Sequence, residues 1–181
     1  MQDWDVISLL EFLATCRSVR HFTSQRLSRE QVERILEVAR WTGSARNRQP
    51  WRFLTVTDRA VQGRLSRLGP YAQHLADAPL VLVLLSADND QLDTEFDLGR
   101  IAQTISLGAH AIGLGSCLAT LCPDENVAEA IRVLGVEPGW RPHHAMSLGW
   151  PAVFEHHQTP AIPTGRLTVA ELAGTRISRV R

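Results

Sequence analysis

Arg17-Ser18-Val19-Arg20-His21-Phe22 and, one helix later, Ser44-Ala45-Arg46-Asn47-Arg48-Gln49-Pro50-Trp51 are the stretches that decide how this chain reads. Each mixes guanidinium, hydroxyl and carboxamide groups, which can hold an anion and read the edge of a polar ring. Taken alone, Arg17, Ser18 and Arg20 also fit a solvated helix end, where cations are favoured. Ser44 and Asn47 alone fit an ordinary turn. Between the two stretches, Ser28 with Gln31 forms a capping-box signal. It opens a helix whose apolar residues Val32, Ile35, Leu36 and Ala39 keep the 3.6 period. Pro50 fixes the direction in which the chain enters a strand over Trp51–Thr57.

Outward from these stretches, the pattern predicts a short apolar helix over Val6–Thr15, a connection over Phe22–Leu27, and a helix over Ala60–Leu68 ended by Gly69-Pro70. Pro79–Ala87 is a continuous apolar run, which predicts a strand buried on both faces. Leu98, Ile101, Ala102, Ile105, Ala109 and Ile112 trace one face of a long helix from about Asp93 to Ala111. Gly113-Leu114-Gly115 ends it and feeds a strand from Ser116. Asp124–Leu134 reads as a helix stopped by Gly135, and His143–Gly149 as the last strand. Residues 1–181 read as one domain, with a core over about 15–152 and a C-terminal arm over 153–181.

Composition narrows the function classes. Acidic and basic residues balance at 19 each, so no net field attracts nucleic acid or an anionic membrane. Every basic residue among those 19 is arginine. That excludes a Schiff-base lysine and a Walker A loop. No apolar run is long enough to span a bilayer, and the acidic start Met1-Gln2-Asp3-Trp4-Asp5 does not resemble a secretory leader. The 3 cysteines cannot all pair within the chain and match no zinc spacing. A cytoplasmic location is expected. His143-His144 and His156-His157 lack a companion carboxylate or thiolate placed to complete a metal site, so no metal is expected. Gly113-x-Gly115 ends a helix and enters a strand, the reverse of a Rossmann fingerprint.

The ordered set of motifs resembles the nitroreductase family of flavin enzymes. It comprises R-S-V-R-x-F, then S-x-x-N-x-Q-P-W running into a strand. Asp97-x-Gly99 follows near the start of a long helix, then Gly113-Leu114-Gly115-Ser116 before a strand. Gly149-Trp150-Pro151 comes after the last core strand, and Arg166 is the late arginine. Element order alone suggests a doubly wound sheet. The resemblance implies instead an α+β fold, nitroreductase-like, with a central, mainly antiparallel sheet flanked by helices, and a homodimer with its sites at the interface. It implies bound FMN, NAD(P)H as electron donor, and a small-molecule acceptor such as a nitroaromatic, quinone or flavin, used in ping-pong order. Arg17, Ser18 and Arg166 would meet the FMN phosphate and ribityl chain, and Arg20 the pyrimidine edge. Ser44 and Asn47, with Gln49, would come from the partner subunit. The loop Leu118, Ala119, Thr120, Leu121, Cys122 would cross the flavin face, with one backbone N–H aimed at N5. No side chain need act as acid or nucleophile.

Two positions depart from the family pattern. Cys16 stands where a second arginine is usual, and Arg46 where glycine is frequent. His74, with Tyr71, is the candidate for the polar group near the pyrimidine. Cys117 and Cys122 read as small buried side chains rather than redox thiols. Two other readings share these residues: a specialised flavoenzyme of the same fold (dehalogenation, azoline oxidation or flavin fragmentation), and a flavin-binding or storage protein with little turnover.

Overall fold

A computed structural model describes residues 6–89, 91–153 and 165–173. The helices are α1 (Val6–Thr15), α2 (Arg29–Ala39), α3 (Arg59–Leu65), α4 (Leu92–Ala111), α5 (Asp124–Leu134) and the short α6 (Val169–Leu172). The strands are β1 (Trp51–Val56), β2 (Leu80–Ala87), β3 (Gly115–Thr120) and β4 (Trp140–Gly149). The sheet order is β1-β2-β4-β3, and every pair is antiparallel. The element order did not foretell this. Antiparallel neighbours are reached here through long connections that carry whole helices, a pattern otherwise associated with parallel strands.

β2 explains the layering. Its Leu80, Leu82 and Leu84 enter one buried cluster with Ile35 of α2 and Leu98, Ile101 and Ile105 of α4. Val81, Val83 and Leu85 enter a second with Leu65 of α3 and Val127 and Ala130 of α5. The period-2 alternation of a strand therefore feeds two cores from one unbroken apolar run. Truncating any of these leucines to alanine costs about 2–5 kcal/mol at a fully buried site. α2 carries the expected capping box: the Gln31 N–H donates to Ser28 Oγ (3.2 Å) and the Ser28 N–H to Gln31 Oε1 (2.8 Å).

Three boundaries differ from expectation. α3 stops at Leu65 rather than Leu68. β4 begins at Trp140, before Pro142 rather than after it. The β2–β4 register slips by one residue between Leu84 and Ser86, and Pro142 lies in that irregular stretch, where a missing N–H costs no ladder bond. The strand expected from Ser116 is β3, and it takes in Leu118, Ala119 and Thr120, which the loop Leu118–Cys122 was expected to include.

The stretch after α1 crosses the ends of β3 and β4. The Val19 N–H donates to Ser116 O (2.8 Å), the Thr23 N–H to Trp150 O (2.9 Å) and the Ala152 N–H to His21 O (3.0 Å). Gly115 and Gly149 face each other across these strands and let the crossing chain come close. A Cβ at Gly115 would lie 2.6 Å from Val19 Cβ, and one at Gly149 would lie 2.7 Å from Pro79 Cδ and 2.8 Å from Phe22 Cδ1. Gly149→Ala should therefore lower stability by about 1–3 kcal/mol through overpacking, measured by urea unfolding. Gly63→Ala, on α3 with nothing within 4 Å of its Cβ, should raise it by about 0.5–1 kcal/mol. Equal effects at the two positions would contradict this packing.

Candidate active site

The crossing chain delivers Arg17 and Ser18 to a cavity of about 230 Å³, where Arg166, Gly99, Gln103 and Leu118 also line the wall. Arg17 Nη1 donates to Ala14 O (2.5 Å) and Cys16 O (2.9 Å), which satisfies carbonyls left open at the end of α1. The helix-end reading of Arg17 thus holds for one nitrogen, while the side chain still faces the cavity. Arg166 Nη1 bonds its neighbour's carbonyl, Gly165 O, at 2.7 Å. Two arginines, Arg17 and Arg166, and three serines, Ser18, Ser106 and Ser116, line this cavity, a donor set suited to a phosphate.

β3 forms the adjoining wall. Its side chains alternate: Cys117 and Ala119 are buried, whereas Leu118 and Thr120 are exposed. Ala119 and Leu121 belong to the core under α3 and α5, so only their main chain is left to meet a ligand. The Leu121 N–H donates to His143 O (2.8 Å) and the Cys122 N–H to Leu68 O (2.9 Å). Counting back along the β3–β4 register, antiparallel alternation turns the N–H groups of Leu118 and Thr120 away from β4. Ser116 O, which accepts from Val19 on that outer side, agrees with this phase. Among the described residues, neither the Leu118 nor the Thr120 amide has another main-chain acceptor.

Behind this wall lie Arg20 and His74. His74 Nδ1 sits 2.8 Å from the hydroxyl of Ser147, a fully buried residue. His74 Nε2 is buried and finds no partner among the described residues. Burial, and then the positive charge of Arg20, pushes the His74 imidazole down to about 4, so it is neutral at pH 7. Burial pushes the Cys117 thiol up, against the opposing pull of Arg20 and a hydrogen bond with Ser18. Cys117 is therefore a protonated thiol at neutral pH, as a structural cysteine would be.

Ser44, Asn47 and Gln49 sit elsewhere, on a 3-10 turn spanning Ala45–Asn47 and its flanks. Ser44 Oγ accepts from the Gln49 N–H (2.9 Å), and Asn47 Oδ1 accepts from Gln49 Nε2 (3.1 Å). None of the three lines the cavity that holds Arg17 and Ser18. Arg46, Asn47 and Gln49 have φ of 52°, 54° and 49°, a left-handed backbone that costs a non-glycine residue about 1–2 kcal/mol. This gives a physical reason for glycine to be frequent where this chain has Arg46. Asp97, only 1% exposed, holds the turn in place: it accepts from the Ala45 N–H (2.8 Å) and pairs with Arg100 (3.2 Å). Arg48 adds a clamp to Gln91 (2.8 Å) and Asp93. The sequence marked Asp97 as a motif member without assigning it a role. Its signal was an acid on the apolar face of α4, where only a partnered carboxylate is tolerated.

A larger cleft, about 600 Å³, lies beside Arg26, Arg29, Leu27 and Arg59. Two of its arginines are engaged: Arg29 with Glu33, and Arg59 with the carbonyls of Ala76 and Ala78. Among the described residues, no three His, Cys, Asp or Glu side chains gather as a metal site would. His156 and His157 lie outside the described residues. So does most of the segment 153–181, apart from 165–173. No described helix is long and apolar enough to cross a membrane.

Comparison with known proteins supplies the family. The family model described as the nitroreductase family matches residues 13–73 and 62–150. A relative from Archaeoglobus fulgidus, provisionally named NADH dehydrogenase/NAD(P)H nitroreductase, is 30% identical over 148 residues, covering 78% of this chain and 84% of its own. The 5,6-dimethylbenzimidazole synthase of Rhodospirillum rubrum is 28% identical over 180 residues, covering 81% and 82%. Among solved structures, an FMN-dependent nitroreductase from Clostridium difficile superposes with a TM-score of 0.74 at 22% identity, covering 87% of this chain and 99% of that one. With the antiparallel sheet and these matches in agreement, the chain belongs to the nitroreductase family.

Proposed function

We propose that this protein is an FMN-dependent oxidoreductase that takes hydride from NAD(P)H and reduces a small acceptor such as a nitroaromatic, a quinone or a flavin. The observation that carries this reading is one continuous arrangement. Arg17, Ser18 and Arg166 line one cavity, the outward amides of Leu118 and Thr120 on β3 adjoin it, and a buried imidazole nitrogen with no partner among the described residues lies behind. These groups fit a molecule with a phosphate at one end and a polar heterocycle at the other. The relatives' names carry NAD(P)H and FMN.

Bound FMN would supply the redox chemistry, accepting hydride and passing on two electrons. The chain's own residues bind and orient it. Arg17 and Arg166 neutralise the phosphate, and Ser18 adds a hydrogen bond. Either the Leu118 or the Thr120 amide offers a fixed N–H donor to the ring. Arg20 sets a positive charge at the edge where negative charge collects on reduction. His74 meets that edge as a neutral group. If its Nδ1–H donates to Ser147, Nε2 is an acceptor; in the other tautomer Nε2 is the donor. Donor and acceptor substrates occupy the same face in turn, which gives ping-pong kinetics.

The protein acts as a homodimer in this reading, with Ser44, Asn47 and Gln49 of one copy completing the groove of the other. Leu10 on α1, Trp41 after α2 and Phe96 on α4 are 60%, 74% and 70% exposed. A dimer interface would cover exposed apolar side chains of this kind.

Arg166→Ala should weaken FMN binding about 10–100-fold, the loss expected for a hydrogen bond to a charged group, measured by fluorescence titration. Unchanged affinity would remove Arg166 from the phosphate site. NAD(P)H oxidation with menadione or a nitrofuran should proceed steadily; FMN binding without turnover would make the protein a flavin carrier. His74 gives a pH test. Its imidazole is held near 4 when folded and titrates near 6.5 when unfolded. The unfolded state therefore binds more protons in between, and His74 lowers stability as pH falls from about 6.5 to 4. In His74→Gln this slope should flatten in urea unfolding across that window. An unaltered slope would show that His74 is not held neutral.

A further inference from the structure

The two elements that wall the cavity, β3 and α4, carry further polar groups beyond it. Leu118 and Thr120 share one face of β3, and their partners on β4 are Met146 and His144. Met146 belongs to the core under α4, so this face is turned toward α4. On α4, Glu95, Gly99 and Gln103 recur at four-residue spacing and fall on one side of the helix. Leu118, Gly99 and Gln103 line the cavity with Arg17 and Ser18. Thr120 and Glu95 are the next step along each wall. There Thr120 Oγ1 lies 3.1 Å from His144 Nδ1, and His144 Nε2 lies 3.4 Å from Glu95 Oε2. The chain hydroxyl–imidazole–carboxylate thus starts at an exposed residue beside a free main-chain amide and ends on an acid.

We propose that Thr120, His144 and Glu95 form a proton relay to the acceptor, with the Thr120 hydroxyl as terminal donor, and that the preferred acceptors are quinone-like compounds whose oxygen must be protonated as they are reduced. This rests on the FMN oxidoreductase reading above. The acceptor gains two electrons and one hydrogen as hydride from the reduced cofactor, which leaves negative charge on an acceptor oxygen. An O–H bond forms at that oxygen as the Thr120 O–H bond breaks. Thr120 Oγ1 takes the proton from His144 Nδ1, and His144 regains one from solvent. Acceptor plus hydride plus proton gives the hydroquinone, with no other reactant. Thr120 is the catalytic residue; His144 and Glu95 are positioning and relay residues. The hydrogen bond from His144 holds the Glu95 carboxyl below the usual carboxylate range despite its partial burial, with Ser86 of β2 contributing. Glu95 therefore stays ionised and fixes the ring through Nε2. The titratable groups facing the relay are Glu95 from α4 and His143 from β4, beside the neutral Thr120 and Ser86.

The test uses FMN-loaded full-length protein and two acceptors, menadione, which needs a proton, and ferricyanide, which takes electrons alone. Thr120→Val and His144→Gln should lower the rate of cofactor reoxidation by menadione about 100-fold, the usual worth of a general acid. Reduction by NAD(P)H and reoxidation by ferricyanide should be unchanged, and Thr120→Ser should restore the menadione rate. The wild-type menadione rate should fall with rising pH, as a rate limited by proton delivery does, and His144→Gln should abolish that dependence. In the cofactor-free protein, carbon NMR of Glu95 should show its carboxyl titrating higher in His144→Gln than in wild type. Unaltered menadione reoxidation in Thr120→Val, or equal losses with both acceptors, overturns the relay alone. A wild-type protein that binds no FMN overturns the underlying reading and the relay with it.

Discussion

The contact on which the site depends is the main-chain pairing of the segment after α1 with the ends of β3 and β4. Val19 to Ser116, His21 to Ala152 and Thr23 to Trp150 pin that segment across the sheet. Only the absence of side chains at Gly115 and Gly149 allows so close a crossing. Each backbone bond has a modest net worth, about 1 kcal/mol, but together they fix the positions of Arg17, Ser18 and Arg20 relative to β3. The cavity is therefore a property of the sheet's end and not of a mobile loop. Side chains held by paired backbone lose little freedom when a ligand arrives.

Charge is handled within the limits of a chain without lysine. Arginine supplies the fixed positive charge, in the bidentate form that suits phosphate. Where the groove meets the protein interior, the chain uses neutral groups. His74 loses its proton to burial and to the nearby Arg20, and Cys117 keeps its own. Asp97, the one deeply buried acid among the described residues, is matched by a backbone N–H and by Arg100, as a buried carboxylate requires. Its role is to hold the strained turn that carries Ser44, Asn47 and Gln49, so the second half of the proposed site is built as firmly as the first.

Much of this was legible in the sequence because the signals were local. The α2 capping box, the apolar face of α4 and the doubly buried β2 each depend on residues a few positions apart, and each appears where the pattern put it. The sheet's antiparallel pairing was not legible from element order, because strand direction is set by connections whose path no local pattern encodes; the family resemblance supplied it. Pro142 hid the true start of β4, since a bulge that excuses a proline is visible only once the partner strand is known. The family resemblance put Leu118–Thr120 in a loop, whereas the β4 pairing that makes them strand is a long-range contact. The role of Asp97 and the meeting of Thr120, His144 and Glu95 depend on long-range contacts that no spacing reveals.

The central claim is that this groove holds FMN and lets NAD(P)H reduce it. The most direct measurement is the visible absorption spectrum of the purified protein with added FMN under anaerobic conditions, before and after NAD(P)H. The account predicts a protein-bound flavin spectrum that bleaches on adding NAD(P)H and returns on adding menadione. FMN that passes freely through a desalting column, or a bound flavin that NAD(P)H leaves oxidised, would contradict it.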